Sequence, residues 1–444
     1  MVGSVGSVRN PLFPLQNLTH PTDPTTDTSG MSRMFSVAGL RLVSAMRWTG
    51  RGLAGLLLAL AGCGGGGGGG GDADWLYPLS VPTDIVVADV DQDGRADVVT
   101  LAQYAASASR REGRLTVHRQ TSQGIFAAAE SYVVGVYPWR LAAGDIDGDG
   151  SIDVVVADVD SRAVWLLVQD AARRGRFLAP SRVASDVYAY DLVIDDLNGD
   201  GAPDVAVADG QQNAARLVML YQMSDQRGSF QPAVSLTLPG SASTAIASGD
   251  LDGDGRADLL VAIALAASGT TPNKILGMSL QRSDGTMGPF TTMAPQRGLN
   301  VPRLAITDYD GDGRNDLFAY FTPSSSDYRA KLTVLLQGAA PGVFTPAVDT
   351  PLADIKGLDD AVFADLDGDA RPDAAVVGFF PVGSPSTVQA RLNRFTQSGG
   401  GAFAVTASHD VPISASRVTA GDVDDDSRNE IVVLGPEDRY LVMD

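Results

Sequence analysis

The chain has 444 residues, 44% hydrophobic and 19% charged, with 50 Gly, 24 Pro and a formal net charge of -20. That length can bury a large core but exceeds one ordinary compact domain, so it calls for a repeat array or a large β structure. The acidity excludes nucleic acid and an anionic membrane surface as electrostatic partners.

Residues 1–45 are polar, rich in Pro and Thr, and carry no periodic pattern. At Met46 the character changes: Arg47 and Arg51 lead into the apolar run 52–60, and Leu60-Ala61-Gly62-Cys63 follows. That run is too short to cross a bilayer as a helix. The order of basic segment, short apolar run and Leu-Ala-Gly-Cys resembles a bacterial lipoprotein signal peptide over residues 46–62. The resemblance implies cleavage before Cys63 and a lipid on that residue, tethering the chain to a membrane of the cell envelope without threading it. The alternative is an unprocessed buried thiol. Residues 1–45 would then lie upstream of the true start at Met46, Met31 or Met34. Residues 63–73, with eight consecutive glycines at 64–71, read as a flexible leash. Cleavage would remove five Arg and two Asp, leaving a net charge of -23. With Cys63 capped no free thiol remains, which suits an extracytoplasmic compartment.

Residues 74–444 are a repeat. An acidic nine-residue loop begins at Asp89, Asp145, Asp196, Asp250, Asp308, Asp365 and Asp422, at spacings of 56, 51, 54, 58, 57 and 57 residues. A short stretch of small and apolar residues enters each loop, and a β-branched run leaves it, as at 154–157, 205–208 and 431–434. A third run follows, and a Gly-x-Phe opens a fourth at Phe126, Phe177, Phe230, Phe290, Phe344 and Phe403. All are short and bounded by turn residues, so they read as strands. Four antiparallel strands repeated seven times predict an all-β, seven-bladed β-propeller. The last repeat stops after its third strand, so residues 75–81 are expected to complete its blade and close the ring.

The loops carry the chemistry. Positions 1, 3, 5 and 9 are Asp89, Asp91, Asp93 and Asp97 in the first loop, and Asp145, Asp147, Asp149 and Asp153 in the second. They are Asp196, Asn198, Asp200 and Asp204 in the third, and Asp250, Asp252, Asp254 and Asp258 in the fourth. The fifth has Asp308, Asp310, Asp312 and Asp316; the sixth has Asp365, Asp367, Asp369 and Asp373. The seventh has Asp422, Asp424, Asp426 and Glu430. Carboxylates so crowded repel one another unless a hard cation sits among them, and an all-oxygen set points to Ca²⁺. Gly holds position 6 in five loops, where a left-handed backbone is needed, but Ala370 and Ser427 stand there in the last two. Those two sites are expected to bind more weakly. An EF-hand or dockerin loop needs an acid at position 12, where this chain has Thr100 and Val156.

Asp-x-Asp-x-Asp-Gly-x-x-Asp at this period resembles the FG-GAP/VCBS repeat propellers, the architecture of the integrin α-subunit head. The resemblance covers residues 74–444, although the Phe-Gly…Gly-Ala-Pro signature itself is absent. It implies one Ca²⁺ per loop, up to seven, held by the residues above and by the carbonyl of position 7.

It also implies acidic hairpins at one end of the propeller and ligand sites at the other. Five residues before the loops stand Asp84, Arg140, Asp191, Ala245, Arg303, Asp360 and Arg417. The six charged ones should ring the channel, either as interblade ion pairs or as a recognition site with Tyr137, Trp139, Tyr188 and Tyr190. Catalysis is poorly supported. After residue 62 only His118 and His409 remain, and there is no nucleophile elbow or phosphate loop. The chain therefore reads as a non-enzymatic, lipid-anchored adhesion or binding module for a protein or matrix partner. The alternatives are a lectin or, less favoured, a polysaccharide-processing enzyme using Asp84, Asp191 or Asp360.

Overall fold

Apolar runs this short, each cut off by an acidic or glycine-rich turn, cannot complete an amphipathic helix, and every regular element among the described residues is a strand. The structure, a computed structural model, describes residues 40–42, 80–105, 110–122, 124–210, 214–265, 274–293, 303–321, 331–352, 357–382, 387–398, 402–411, 416–435 and 440–443. Cys63, the rest of the leader and the glycine leash lie outside the described residues.

The strands form seven four-stranded antiparallel sheets, the blades of a propeller, with two short hairpins beside them. Blade 1 runs outward through Ser80–Ala88, Asp97–Ala105, Arg111–His118 and Glu130–Val133. Blade 2 runs through Pro138–Gly144, Asp153–Asp158, Ala163–Leu167 and Ser181–Ser185. The inner strands of blades 3 to 7 are Ala189–Asp195, Ala242–Gly249, Leu304–Thr307, Gly357–Ala364 and Arg417–Gly421. Each acidic loop joins the inner strand to the second, so position 9 opens the second strand opposite the residue before position 1, as in Ala88↔Asp97, Gly144↔Asp153 and Gly421↔Glu430.

Second strands are sandwiched between neighbouring blades and are apolar on both faces; Val154, Val155, Val156 and Ala157 are all fully buried. Every interface between blades carries its own apolar core. The one formed by Ile85, Val98, Val423, Val432, Leu434, Tyr440 and Val442 joins blade 7 to blade 1 and closes the ring. Inner strands end on small residues because the next blade crowds them. A Cβ on Gly421 would sit 2.5 Å from Val87 Cγ1, and one on Gly249 would sit 2.9 Å from Ile306 Cγ2.

Two expectations need correction. The strand completing blade 7 is Leu40–Leu42, paired with Tyr440–Met443, whereas Ser80 and Val81 begin the inner strand of blade 1 opposite Tyr104 and Gln103. The free edge of Tyr440–Met443 can take up any short extended segment, because backbone groups alone make the pairing. Residues 75–79 lie outside the described residues. The Gly-x-Phe does not open the outer strand in blades 1 to 4. Phe126 and Phe230 close short hairpins with Gln120 and Gln222, Phe177 bridges Gln169, and the outer strands start later, at Glu130, Ser181, Val234 and Thr291.

His118, at the end of the third strand of blade 1, meets Tyr440 of blade 7 edge-on at a centroid distance of 5.3 Å. Its Nε2 is enclosed without a hydrogen-bond partner, and burial lowers its pKa to about 4. A base with a folded pKa below its unfolded value favours folding only while neutral. The ring seam should therefore hold fully above pH ~6.5 and weaken as the pH falls toward 4. His118→Phe keeps the edge-on contact without the titration. Denaturant unfolding between pH 6.5 and 4 should show about 1–3 kcal/mol less loss of stability in this variant than in the native chain.

Candidate metal centres and the axial charge cluster

Each acidic loop is wound by its own backbone N–H groups. In all seven loops the N–H of position 6 donates to the outer oxygen of position 1, from Gly94 to Asp89 Oδ2 at 3.0 Å through to Ser427 and Asp422 Oδ2 at 2.9 Å. That bond needs a left-handed residue at position 6. Ala370 and Ser427 adopt it like the glycines, with φ of 65° and 69°. Position 4 is left-handed as well, which the sequence reading missed. Gln92 has φ 57° and Asp425 φ 59°, while Gly148, Gly199, Gly253, Gly311 and Gly368 hold the other loops. The seventh loop thus carries two strained residues, and the first and sixth carry one each.

Position 9 is the most deeply placed acid. Asp97, Asp153, Asp204, Asp258 and Asp373 are fully inaccessible, with Asp316 and Glu430 nearly so. One carboxylate oxygen accepts the N–H of position 2 in every loop, from Val90 at 3.0 Å to Val423 at 2.7 Å. Burial raises the pKa of Asp97, Asp153 and Asp258 to about 6 and of Asp204 and Glu430 to about 7, against the pull of these backbone donors. Position 2 is itself a buried apolar plug, filled by Val90, Ile146, Leu197, Leu251, Tyr309, Leu366 and Val423. The unbroken apolar series at this position is legible in the sequence once the loops are aligned.

The other oxygen of position 9 binds a residue that sequence reasoning passed over. In six blades a buried glutamine at or just past the end of the third strand donates its backbone N–H there: Gln120, Gln169, Gln222, Gln281, Gln337 and Gln397, at 2.7 to 2.9 Å. Its signal is recurrence, a Gln 16 to 24 residues beyond position 9 in every repeat but the last.

Carboxylate oxygens of Asp89, Asp91 and Asp97 lie within 4.8 Å of one another, as do those of Asp145, Asp147 and Asp153, and of Asp308, Asp310 and Asp316. Asp250, Asp252 and Asp254 group likewise, and so do all four acids of the seventh loop, Asp422, Asp424, Asp426 and Glu430. Asp93, Asp149, Asp312 and Asp258 are not among these groupings. In the first, fourth and fifth loops the position-5 acid also pairs with its neighbour at position 7, Asp93 with Arg95, Asp254 with Arg256 and Asp312 with Arg314. The donor set fits a hard cation: it is all oxygen, and Asp91 Oδ1 and Asp145 Oδ1 are enclosed without a hydrogen-bond partner.

At the axis the structure brings together all six charged residues expected there. A bulge just before Asp84, Arg140, Asp191 and Asp360 aims each side chain into the channel. Arg303 reaches across it, at 2.7 Å from Asp84 and 2.8 Å from Asp360. Arg140 sits between Asp84 and Asp191, at 3.8 and 3.9 Å. The three acids also accept backbone N–H groups of the next inner strand: Leu141 on Asp84 at 3.0 Å, Ile246 on Asp191 at 3.1 Å and Val418 on Asp360 at 3.2 Å. Five of the six are under 7% exposed; Arg303 keeps a quarter of its side chain open. Burial pulls the Arg140 guanidinium down to about 10, with Arg303 and Arg417 as neighbouring like charges, so it remains charged at neutral pH. Above this cluster lie half-buried aromatics. Tyr137 and Trp139 stack at 5.6 Å, and the Arg417 guanidinium covers Trp139 at 5.2 Å. Tyr188 and Tyr190 stand in blade 3 where Tyr137 and Trp139 stand in blade 2, eight and six residues before their loops.

Residues 145–207, 196–261 and 308–376 match the family model of the FG-GAP-like repeat. Each match runs from one acidic loop to the second strand of the following blade, so the repeat unit is offset from the blade. No curated protein matches the chain significantly.

Ala370→Gly and Ser427→Gly should each stabilise the chain by about 1 kcal/mol by removing positive-φ strain, read from denaturant midpoints. Arg303→Met leaves Asp84 and Asp360 without their closest cation and should destabilise by about 3 kcal/mol, with Asp360→Asn partly restoring it.

Proposed function

We propose that this FG-GAP-repeat propeller is a calcium-stabilised, non-catalytic binding module held outside the cytoplasm by a lipid on Cys63; cleavage before Cys63 would remove Leu40–Leu42 and free the edge of Tyr440–Met443 for another extended segment. The observation that carries the reading is the sevenfold acidic loop, wound by the same backbone hydrogen bonds and lined by oxygens alone. Bound there, Ca²⁺ would supply the positive charge that offsets 27 acids at 28 ligand positions. Asp, Asn and Glu side chains of positions 1, 3, 5 and 9 would hold it. The residues themselves do the rest: position 9 ties the loop to the third strand, and position 2 plugs it into the interblade core.

The end of the propeller away from the loops is the working surface in this reading. Its axial carboxylates are spent on arginines and backbone N–H groups, which supports structural duty for Asp84, Asp191 and Asp360 rather than acid–base catalysis. Tyr137, Trp139, Tyr188 and Tyr190, with the open part of Arg303, form the accessible polar and aromatic patch. A protein or matrix partner fits it. The recurrence of the aromatic pair in blades 2 and 3 favours glycan binding as the second reading, since sugar rings stack on such platforms.

A glycan array and a pull-down with the full chain would separate the two readings. Trp139→Ala combined with Tyr190→Ala should weaken retention of the captured ligand about tenfold, on the order of 1.4 kcal/mol, with an unchanged melting temperature. Undiminished retention would move the binding surface elsewhere. Cys63→Ala should shift the protein from the membrane to the soluble fraction; an unchanged distribution would remove the lipid anchor from the account.

A further inference from the structure

The buried glutamines do more than brace their own blades. Gln169 Nε2 donates to Val90 O at 2.8 Å, Gln281 Nε2 to Asp196 O at 2.9 Å and Gln397 Nε2 to Tyr309 O at 2.8 Å. Gln337 donates in the same way to Leu251 O. Each acceptor belongs to position 1 or 2 of the acidic loop in the preceding blade. The backbone N–H of the same glutamine holds the position-9 carboxylate of its own blade, at 2.9 Å from Gln397 to Asp373 Oδ1. One residue therefore touches two neighbouring loops, at the entry of one and the closing acid of the other.

The remaining two glutamines behave differently. Gln120 and Gln222 turn their amides to Ala96 O and Pro203 O, in the loops of their own blades. At the junction of blades 2 and 3, Arg227 on the hairpin beside Gln222 reaches the second loop at Gly148 O instead, 2.9 Å away.

We propose that Gln169, Gln281, Gln337 and Gln397 are positioning residues that couple adjacent metal loops, so that ordering of one loop by a cation raises the affinity of the next. Through these glutamines loops 3 to 6 form one linked block and loops 1 and 2 a pair, and Asn429 of loop 7 adds that loop to the block by donating to Asp365 O at 2.9 Å. The inference rests on the calcium reading above for its ligand, while the coupling itself is a property of the hydrogen bonds. A carbonyl at position 2 does not face the ion side of a loop built on positions 1, 3, 5, 7 and 9, which leaves it available to report the loop's state. All six glutamines are buried, so water does not compete for the amide. Removing one such bond from a buried carbonyl is enough to uncouple neighbours by several-fold.

Hydrogen–deuterium exchange of the peptide covering residues 365–373, followed against calcium concentration in the full chain, tests this. Loop 5 is disabled by Asp308→Asn with Asp310→Asn. In the native background the calcium needed for half-protection of loop 6 should rise about fivefold. In a Gln397→Met background the same lesion should produce no shift. Gln222→Met, which removes an amide bonded within its own blade, should leave the fivefold shift intact although it lowers stability. An equal shift with and without Gln397, or its loss in both glutamine variants, overturns the coupling. Should Gln397→Met not fold, Gln281→Met with Asp200→Asn, read on residues 250–258, repeats the cycle two junctions earlier. Exchange unaffected by calcium in every loop would instead remove the metal reading. The chelated samples would still show whether a lesion in loop 5 loosens loop 6 through Gln397.

Discussion

A carboxylate with no access to solvent, placed at the mouth of a β-hairpin, is the constraint on which the propeller depends. Position 9 occurs in every blade, and a buried anion there is tolerable only if all its lone pairs are used. One oxygen takes the N–H of position 2, which pins the loop over the hairpin. In six blades the other takes the N–H of the glutamine, which pins the end of the third strand. The acid thus sets the length of the inner hairpin and the point where the third strand turns. The apolar plug at position 2 is drawn into the interblade core by the same bond.

The axis solves a similar problem with opposite charges. Inner strands converge where side chains of both signs are forced together, and small residues at the strand ends let them approach. Asp84, Asp191 and Asp360 each reach an N–H of the following blade, so they act as staples between blades 1 and 2, 3 and 4, and 6 and 7. Arginines neutralise them. A buried ion pair of this kind adds little net stability over an apolar replacement, but it penalises any misplaced blade heavily. Its contribution is to fix the order and register of the ring.

Much of this was legible in the sequence. The period, the strand count, the loop ligands and the charged residues five positions before each loop all follow from aligning seven acidic motifs. What was not legible depends on long-range geometry. Nothing local marks Leu40–Leu42 as the outer strand of blade 7, because an open edge accepts short extended segments through backbone groups alone. Gln92 and Asp425 themselves give no warning of positive φ; the signal lies in the glycines at the same position of the five other loops. The glutamines recur plainly, yet their spacing from position 9 varies by eight residues, and their partners lie about 80 residues earlier in the chain. The axial residues read equally well as a recognition ring, and only their burial assigns them to holding blades together.

The most direct test of the account is the thermal stability of the full chain with and without free calcium. If the acidic loops are cation clamps, excess chelator should lower the melting temperature by about 10 °C or more, and added calcium should restore it. An identical melting temperature in chelator and in millimolar calcium would contradict the central claim, leaving the loops as turns held by backbone hydrogen bonds alone.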